Sequence, residues 1–511
     1  MRVTTVSSPA ANCFFPVLPL HLWSIAHRAI SILRRSALCG VGAIVMLGAS
    51  ITSQAQTYSV LLALDGTNGY KPNSPLIQGV DGNFYGTTGG GGANNNGTIF
   101  KITPSGTITT LYSFCSQTNC TDGEGPNDGL ILGTDGNFYG TTIAGGTGTT
   151  YCGAGCGTAF KITPAGVLTT LHSFCIESTC LDGDEPIAGL AQGTDGNFYG
   201  TVPYGGANDG GTVFKMTPSG TVTTLYAFCA QTNCVDGQGP RAALIQATNG
   251  AFYGTTANGG ANGYGEVFRI TSSGTFSVLH SFDLSDGYGP TAALIQVSNG
   301  TIYGTTSSGG TSTACEEGCG TIFEMTASGT LTTLVNFDST DGTGPDSALV
   351  PASNGNLYGT TGEGGAHEDA GTIFEMTPTG TLTTIYNFCS ETNCIDGVSP
   401  YGIMQASSGV FYGTAGGGSS SEGLIFTLKA GLRSFVETVP DSGKVGSKVK
   451  ILGDGLTGAT AITFNGTAAT FTVVSATEIT TTVPTGATTG KVIVTTSSGT
   501  KLATVGSFHV L

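Results

Sequence analysis

The chain has 511 residues, 83 of them Gly and only 10% charged, and its formal net charge is −16. With 39% hydrophobic residues it can bury a core, which excludes a disordered chain. Its 17 Lys and Arg against 33 Asp and Glu exclude a phosphate-tracking groove, so nucleic acid is not an expected partner.

Residues 1–55 read as an export signal. Arg28, Arg34 and Arg35 precede an apolar run from Ala37 to Ile51, and Ser53-Gln54-Ala55 offers small residues for cleavage after Ala55. The run is short for a membrane span, so none is expected in the mature chain. A secreted or cell-surface protein is the expectation.

Residues 56–430 are filled by a repeat. Tyr-Gly recurs at Tyr85, Tyr139, Tyr199, Tyr253, Tyr303, Tyr358 and Tyr412, at spacings of 54, 60, 54, 50, 55 and 54 residues. Units of that length fit propeller blades. Each unit reads as four strands, A to D. In the third, Leu190 to Gly193 is strand A, Asp195-Gly196 is a hairpin signal, and Asn197 to Thr201 is strand B. Thr212 to Thr217 is strand C, Pro218-Ser219-Gly220 turns the chain, and Thr221 to Phe228 is strand D.

There are seven A-B-C sets but six D strands following them. The missing D strand is Tyr58 to Leu64, followed by Asp65-Gly66. The N-terminal strand is therefore expected to complete the last blade and close the ring. This predicts an all-β chain: a seven-bladed β-propeller of four-stranded blades, followed by a small sandwich. A linear solenoid would need polar caps, and none is seen.

Loop lengths separate two faces. The Gly opening strand C lies 17 residues before the Phe ending strand D in every complete unit, as in Gly211 to Phe228. The B–C loops vary: Tyr to Gly spans 12 residues in the first unit and 18 from Tyr139 to Gly157. In a four-stranded meander the B–C and D–A loops share one end. One face is expected to be constant and the other diversified, and binding residues favour variable loops on a rigid scaffold.

Cysteines come in pairs. Cys115/Cys120, Cys175/Cys180, Cys229/Cys234 and Cys389/Cys394 share a C-x4-C spacing in D–A loops, and Cys152/Cys156 and Cys315/Cys319 share C-x3-C in B–C loops. After Phe282 and Phe337 both members are missing together, which argues for six disulfides in an oxidising compartment. Each bridge contributes about 2 kcal/mol by closing a small loop. Zinc is the alternative, but the pairs are spread along the repeats without His.

No catalytic order of Ser, His and Asp stands out. His172 and His280 take the strand-D place of Tyr112 and Tyr226 and read as packing variants. The candidate ligand-binding residues lie in the variable loops: His367-Glu368-Asp369, Glu316-Glu317 and Tyr151. One acidic set is systematic. Asp65, Asp122, Asp182, Asp236, Asp286, Asp341 and Asp396 each precede Gly in a D–A loop. The simpler reading is an Asp side chain bonding backbone N–H groups of its own turn. The sharper one is Ca²⁺, which wants several oxygen ligands.

The period ends near Lys429-Ala430-Gly431. From residue 431 to 511 short alternating strands make an immunoglobulin-like β-sandwich. Stretches such as Asp195 to Thr201 and Gly211 to Gly220 resemble the Gloeo/Verruco (GloVer) tandem repeat of bacterial exported proteins. The tail is similar to an IPT/TIG domain, carried by Pro440 to Gly446 and Gly453 to Leu456. The first resemblance implies export and assigns no activity; the second implies a binding or spacer module. The expected function is extracellular binding or adhesion by a monomer, its variable loop face contacting glycan or protein. A secreted polysaccharide lyase or hydrolase is the alternative, and a purely structural surface protein a third reading.

Overall fold

The computed structural model describes residues 56–148, 152–153, 155–177 and 179–511. The leader and Tyr151 lie outside the described residues. Each repeat folds as a four-stranded antiparallel meander. In the third, Ala191–Gln192, Phe198–Val202, Thr212–Met216 and Val222–Ala227 pair in that order. Gly196 has a φ of +81°, the left-handed conformation its two-residue turn requires.

The recurring Tyr-Gly has a steric cause. A Cβ on Gly200 would come 2.5 Å from the ring of Phe214 on strand C, and one on Gly86 would come 2.6 Å from Phe100. The strand-C Phe lies across the strand-B Gly, and no other residue leaves that space. The neighbouring Tyr reaches the next sheet instead. Tyr85 packs on Phe138, Tyr139 on Phe198, Tyr199 on Phe252 and Tyr358 on Phe411, with ring centroids 3.9–4.5 Å apart. Tyr253 and Tyr303 meet Ile302 and Leu357 in the same way.

Tyr412 on Phe84, at 3.9 Å, joins the last repeat to the first. Seven four-stranded sheets thus follow one another around a closed ring. The last sheet takes Thr57–Ala63 as its outer strand, antiparallel to Leu424–Lys429 with Val60 opposite Phe426. Tyr58 on that strand stacks on Tyr386 at 4.0 Å, and its hydroxyl donates to the Asp396 carbonyl. Glutamines on strand A add a second tie. Gln192, Gln246, Gln296 and Gln405 each accept a backbone N–H from the preceding sheet's A–B turn, and Gln78 accepts that of Ser407 in the last sheet.

The C-terminal domain packs two sheets around Val449, Ile451, Ile462, Phe464, Ile479, Val494 and Phe508. It meets the disc at A–B turns: Thr477 donates to the Val80 carbonyl, Phe435 N–H to that of Ser407, and Ser353 to that of Arg433. These turns belong to the face of constant loop length.

Two sheets depart from one pattern in the core, the seventh with a buried Leu424 and the fourth with an acid. Strand C opens with a fully buried Thr at Thr98, Thr158, Thr212, Thr321 and Thr372. Four of these donate to a D–A loop carbonyl, as Thr212 does to Asp182. The fourth sheet has Glu266 there, fully buried, with neither carboxyl oxygen hydrogen-bonded. Burial, and then Asp236, push its pKa from 4.5 to about 8. The folded chain holds this proton up to about pH 8, whereas the unfolded chain releases it near its ordinary value. Stability is therefore lost as pH rises between those two values. Glu266→Thr should restore the missing hydroxyl, raise stability by about 1–3 kcal/mol at neutral pH and flatten that slope. Denaturant melts at pH 5 and pH 8 read both effects, and an unchanged slope contradicts the assignment.

Candidate functional site

The D–A loop entering each sheet lies against that sheet's own B–C loop. Isolated bridges Tyr70–Gly90, Glu124–Ala144, Asp184–Tyr204, Gln238–Asn258, Tyr288–Ser308 and Thr343–Glu363 join them. The variable loops therefore form one face. Of the 29 Asp and Glu in residues 56–433, 23 lie in these loops, against two of the eight Lys and Arg, Lys71 and Arg241.

Much of this charge is held within the loops. Asp122 accepts the Tyr112 hydroxyl, the Ser116 amide and hydroxyl, and the Gln117 amide. Burial pushes its carboxyl up, but these bonds outweigh it and hold it below the usual range. Asp396 does the same with Tyr386, Ser390 and Glu391. Asp236 accepts from Tyr226, Ala230 and Gln231. His172 and His280 replace the tyrosine opposite Asp182 and Asp286, at 2.8 and 2.7 Å, so they are partners of the loop carboxylate as well as packing residues. Val335 offers no donor to Asp341, which accepts the Asp338 amide and is pushed by burial to about 6. Asp65 bonds the amides of Thr67 and Asn68.

The centre of the same face is built differently. Each D–A loop carries a Pro, and the residue after it leads toward strand A, an edge strand of its sheet. The seven residues at this position are Asn73, Asn127, Ile187, Arg241, Thr291, Asp346 and Tyr401. Equivalent positions in adjacent sheets touch: Asn73 donates to Asn127, and Thr291 to Asp346, each at 3.4 Å. Such contacts arise only where the strands converge on the ring axis. Burial alternates at this step in six of the seven repeats, Asp128 being half-buried like Asn127 before it. Six of these side chains are half-buried and Asp346 is exposed, whereas Ser74, Ala188, Ala242, Ala292, Ser347 and Gly402 one residue on are buried.

The result is a polar rim of mixed chemistry. The Arg241 guanidinium donates to the Tyr204 hydroxyl at 2.9 Å, its carbon 5.7 Å from the Tyr204 ring centre. Asp346 is reached by solvent yet hemmed in by protein, and this enclosure pushes its carboxyl to about 6; the Thr291 bond opposes the shift and Glu363 adds to it. One step deeper, Asp128 bridges two sheets, accepting the amides of Gly129 and Gly189 at 2.6 and 2.5 Å. Burial raises its pKa against those two bonds.

A sheet repeated with this geometry has a known counterpart in sequence. The model of the Gloeobacter/Verrucomicrobia repeat matches residues 46–246 and 240–471. The chain belongs to the Gloeobacter/Verrucomicrobia repeat family. An IPT/TIG domain matches residues 434–510. No curated protein matches the chain. Among solved structures it is similar to a gluconolactonase of Xanthomonas campestris, at 14% identity and a TM-score of 0.33, covering 53% of this chain and 78% of that one. It is also similar to an auxiliary nutrient binding protein of Bacteroides thetaiotaomicron, at 12% identity and 0.39, covering 73% and 76%.

Within this Gloeobacter/Verrucomicrobia repeat protein the six cysteine pairs sit at disulfide distance. Their Cα atoms are 4.0 Å apart in Cys115–Cys120, Cys229–Cys234 and Cys389–Cys394, and 4.2 Å apart in Cys175–Cys180. The distance is 5.3 Å in Cys152–Cys156 and Cys315–Cys319. Beside each of three of these bridges, the backbone carbonyl of the second cysteine also fastens a neighbouring loop. The Cys120 carbonyl accepts the amides of Gly123 and Gly146, and the Cys234 carbonyl those of Gly237 and Gly260. Each thus joins a D–A loop to the B–C loop beside it. The Cys319 carbonyl, in a B–C loop, accepts the Gly344 amide of the following D–A loop. Left-handed φ angles of +50° at Cys120 and +52° at Cys234 accompany these turns.

Nor are the pairs all dispersed. Sγ atoms of Cys152, Cys156 and Cys175 lie within 4.8 Å of one another, as do those of Cys156 and Cys180 with an Asp184 oxygen. None of the seven Asp-Gly carboxylates joins such a group among the described residues.

The other candidates stay apart. His367, Glu368 and Asp369 are exposed at one B–C loop, and Glu316 and Glu317 at that of the preceding sheet. Asp369 accepts the Gly364 amide at 2.6 Å, and the Glu368 carboxylate lies 3.6 Å from Cys389 Sγ.

The Tyr–Asp bond should carry measurable energy. Tyr226→Phe leaves the fully buried Asp236 one donor short. Stability is expected to fall by about 1–3 kcal/mol in urea melts, and an unchanged midpoint contradicts the role.

Proposed function

We propose that this protein binds a ligand outside the cell through its variable loop face, with the polar rim at the ring axis as the recognition centre. The observation carrying this reading is the contrast at that rim. The flanking Pro and the buried Tyr-Gly and Phe positions repeat from sheet to sheet, while the rim position holds two amides, a guanidinium, a hydroxyl, a carboxyl, a phenol and one aliphatic chain, Ile187. A ring needed only for packing has no use for such variety. Convergent polar groups of differing chemistry are what ligand recognition uses. A glycan or a protein segment supplies the matching donors and acceptors.

The C-terminal domain supports the reading by its position. It meets the A–B turns and so serves as a spacer on the constant face. The leader and the paired cysteines support a secreted or cell-surface location, with one chain as the binding unit.

A second reading, a secreted polysaccharide-acting enzyme, is favoured by one observation. Asp346 is pushed to about 6, where a carboxyl can donate or accept a proton near neutral pH.

A glycan array probed with residues 56–511 tests the first reading. Retention of a defined set of glycans, lost in a Thr291→Ala, Asp346→Ala double variant that melts normally, is the expected result. Retention unaffected by the rim contradicts it. Turnover of a polysaccharide, abolished by Asp346→Asn, moves the conclusion to the second reading.

A further inference from the structure

The rim holds one cation on a face of 23 acids, and that cation is unpaired. Arg241 makes no ion pair among the described residues. Its guanidinium instead meets the Tyr204 hydroxyl and ring. A guanidinium has five N–H donors in a planar fork suited to a carboxylate. An arginine kept for structure alone would be expected to pair with one of the surrounding carboxylates. Tyr204 instead holds it half-buried at the ring axis, from the B–C loop of the neighbouring sheet. Tyr204 is itself 40% exposed, and so is open to contact with a ligand.

We propose that Arg241 and Tyr204 form an anion subsite, and that this face takes a neutral saccharide chain bearing a single carboxylate, as on a terminal uronic acid. The proposal rests on the binding role argued above and names its ligand class. The surrounding charge selects against polyanions: each further negative group would meet carboxylates at close range. It does not select against hydroxyls, for which Asn73, Asn127 and Thr291 offer hydrogen-bond partners around the same rim. A single carboxylate on an uncharged polyhydroxyl body satisfies both conditions, with the sugar ring stacking on Tyr204.

The test is calorimetry with three probes on residues 56–511: a xylo-oligosaccharide capped by one glucuronic acid, its methyl ester, and polygalacturonate. The capped acid is expected to bind. The ester and the Arg241→Gln variant are each expected to weaken binding by about tenfold or more, the loss of a hydrogen bond to a charged group. Polygalacturonate is expected to bind more weakly than the capped acid. The ester comparison uses the unaltered protein, so it decides even where the variant misfolds. Equal binding of acid and ester overturns the subsite but leaves the saccharide reading standing. Tighter binding of polygalacturonate overturns the single-carboxylate claim. Failure of all three to bind overturns the proposal and removes saccharide from the function it rests on.

Discussion

The pairing of Thr57–Ala63 with Leu424–Lys429 is the constraint on which the rest of this structure depends. Each sheet buries its aromatic residues against the next, and a row of such sheets would leave two ends uncovered. The N-terminal strand supplies the outer strand of the last sheet, and Tyr412 then reaches Phe84 of the first. Tyr58 fastens the same strand to Tyr386 and Asp396, in and beyond the strand D that follows the sixth A-B-C set. Closure makes all seven sheets near-equivalent. It also brings seven identical sequence positions to one axis.

That equivalence explains where variation is tolerated and where it carries information. Gly200 and its counterparts lie under a phenyl ring, so nothing larger fits. The strand-C Thr positions hand a hydroxyl to a neighbouring carbonyl; of the two departures, Leu424 is apolar, whereas Glu266 leaves two buried oxygens unpaired. The position after the loop Pro is free of both demands. Its residue type is therefore free to vary from sheet to sheet. Loop carboxylates such as Asp122 and Asp236 are tied into their own turns by backbone amides and by a strand-D tyrosine. Their regularity belongs to the scaffold; the irregular rim is where specificity can reside.

The repeat, its four strands, the closing N-terminal strand and the shared face of the two variable loops were all legible in the chain, because period and turn chemistry are local signals. The rim was not. Asn73, Arg241 and Asp346 share no residue type, and only their common place after a Pro links them. The signal available was that place itself: Pro and Leu recur on either side of residues that do not. His172 and His280 read as packing residues, since the bond to Asp182 and Asp286 spans the turn from strand D into the loop. The spacing of Cys120, Cys234 and Cys319 from their partners spoke of local bridges alone, because a carbonyl's bond to a separate loop leaves no mark on residue type. The meeting of Cys152 and Cys156 with Cys175 was hidden because strands C and D intervene in sequence and return the chain to the same end. Glu266 was visible as a change of residue, but its burial follows from the D–A loop folded over it, where Gly237 lies against its carboxyl.

Hydrogen exchange across residues 56–64 tests the closed ring most directly. The account predicts that these amides are protected as strongly as those of Leu424–Lys429 and open together with the rest of the disc in one cooperative step. Rapid exchange of residues 56–64, with the remaining sheets still protected, would mean that the ring stands without its closing strand. The equivalence of the seven sheets, and the rim derived from it, would then fail.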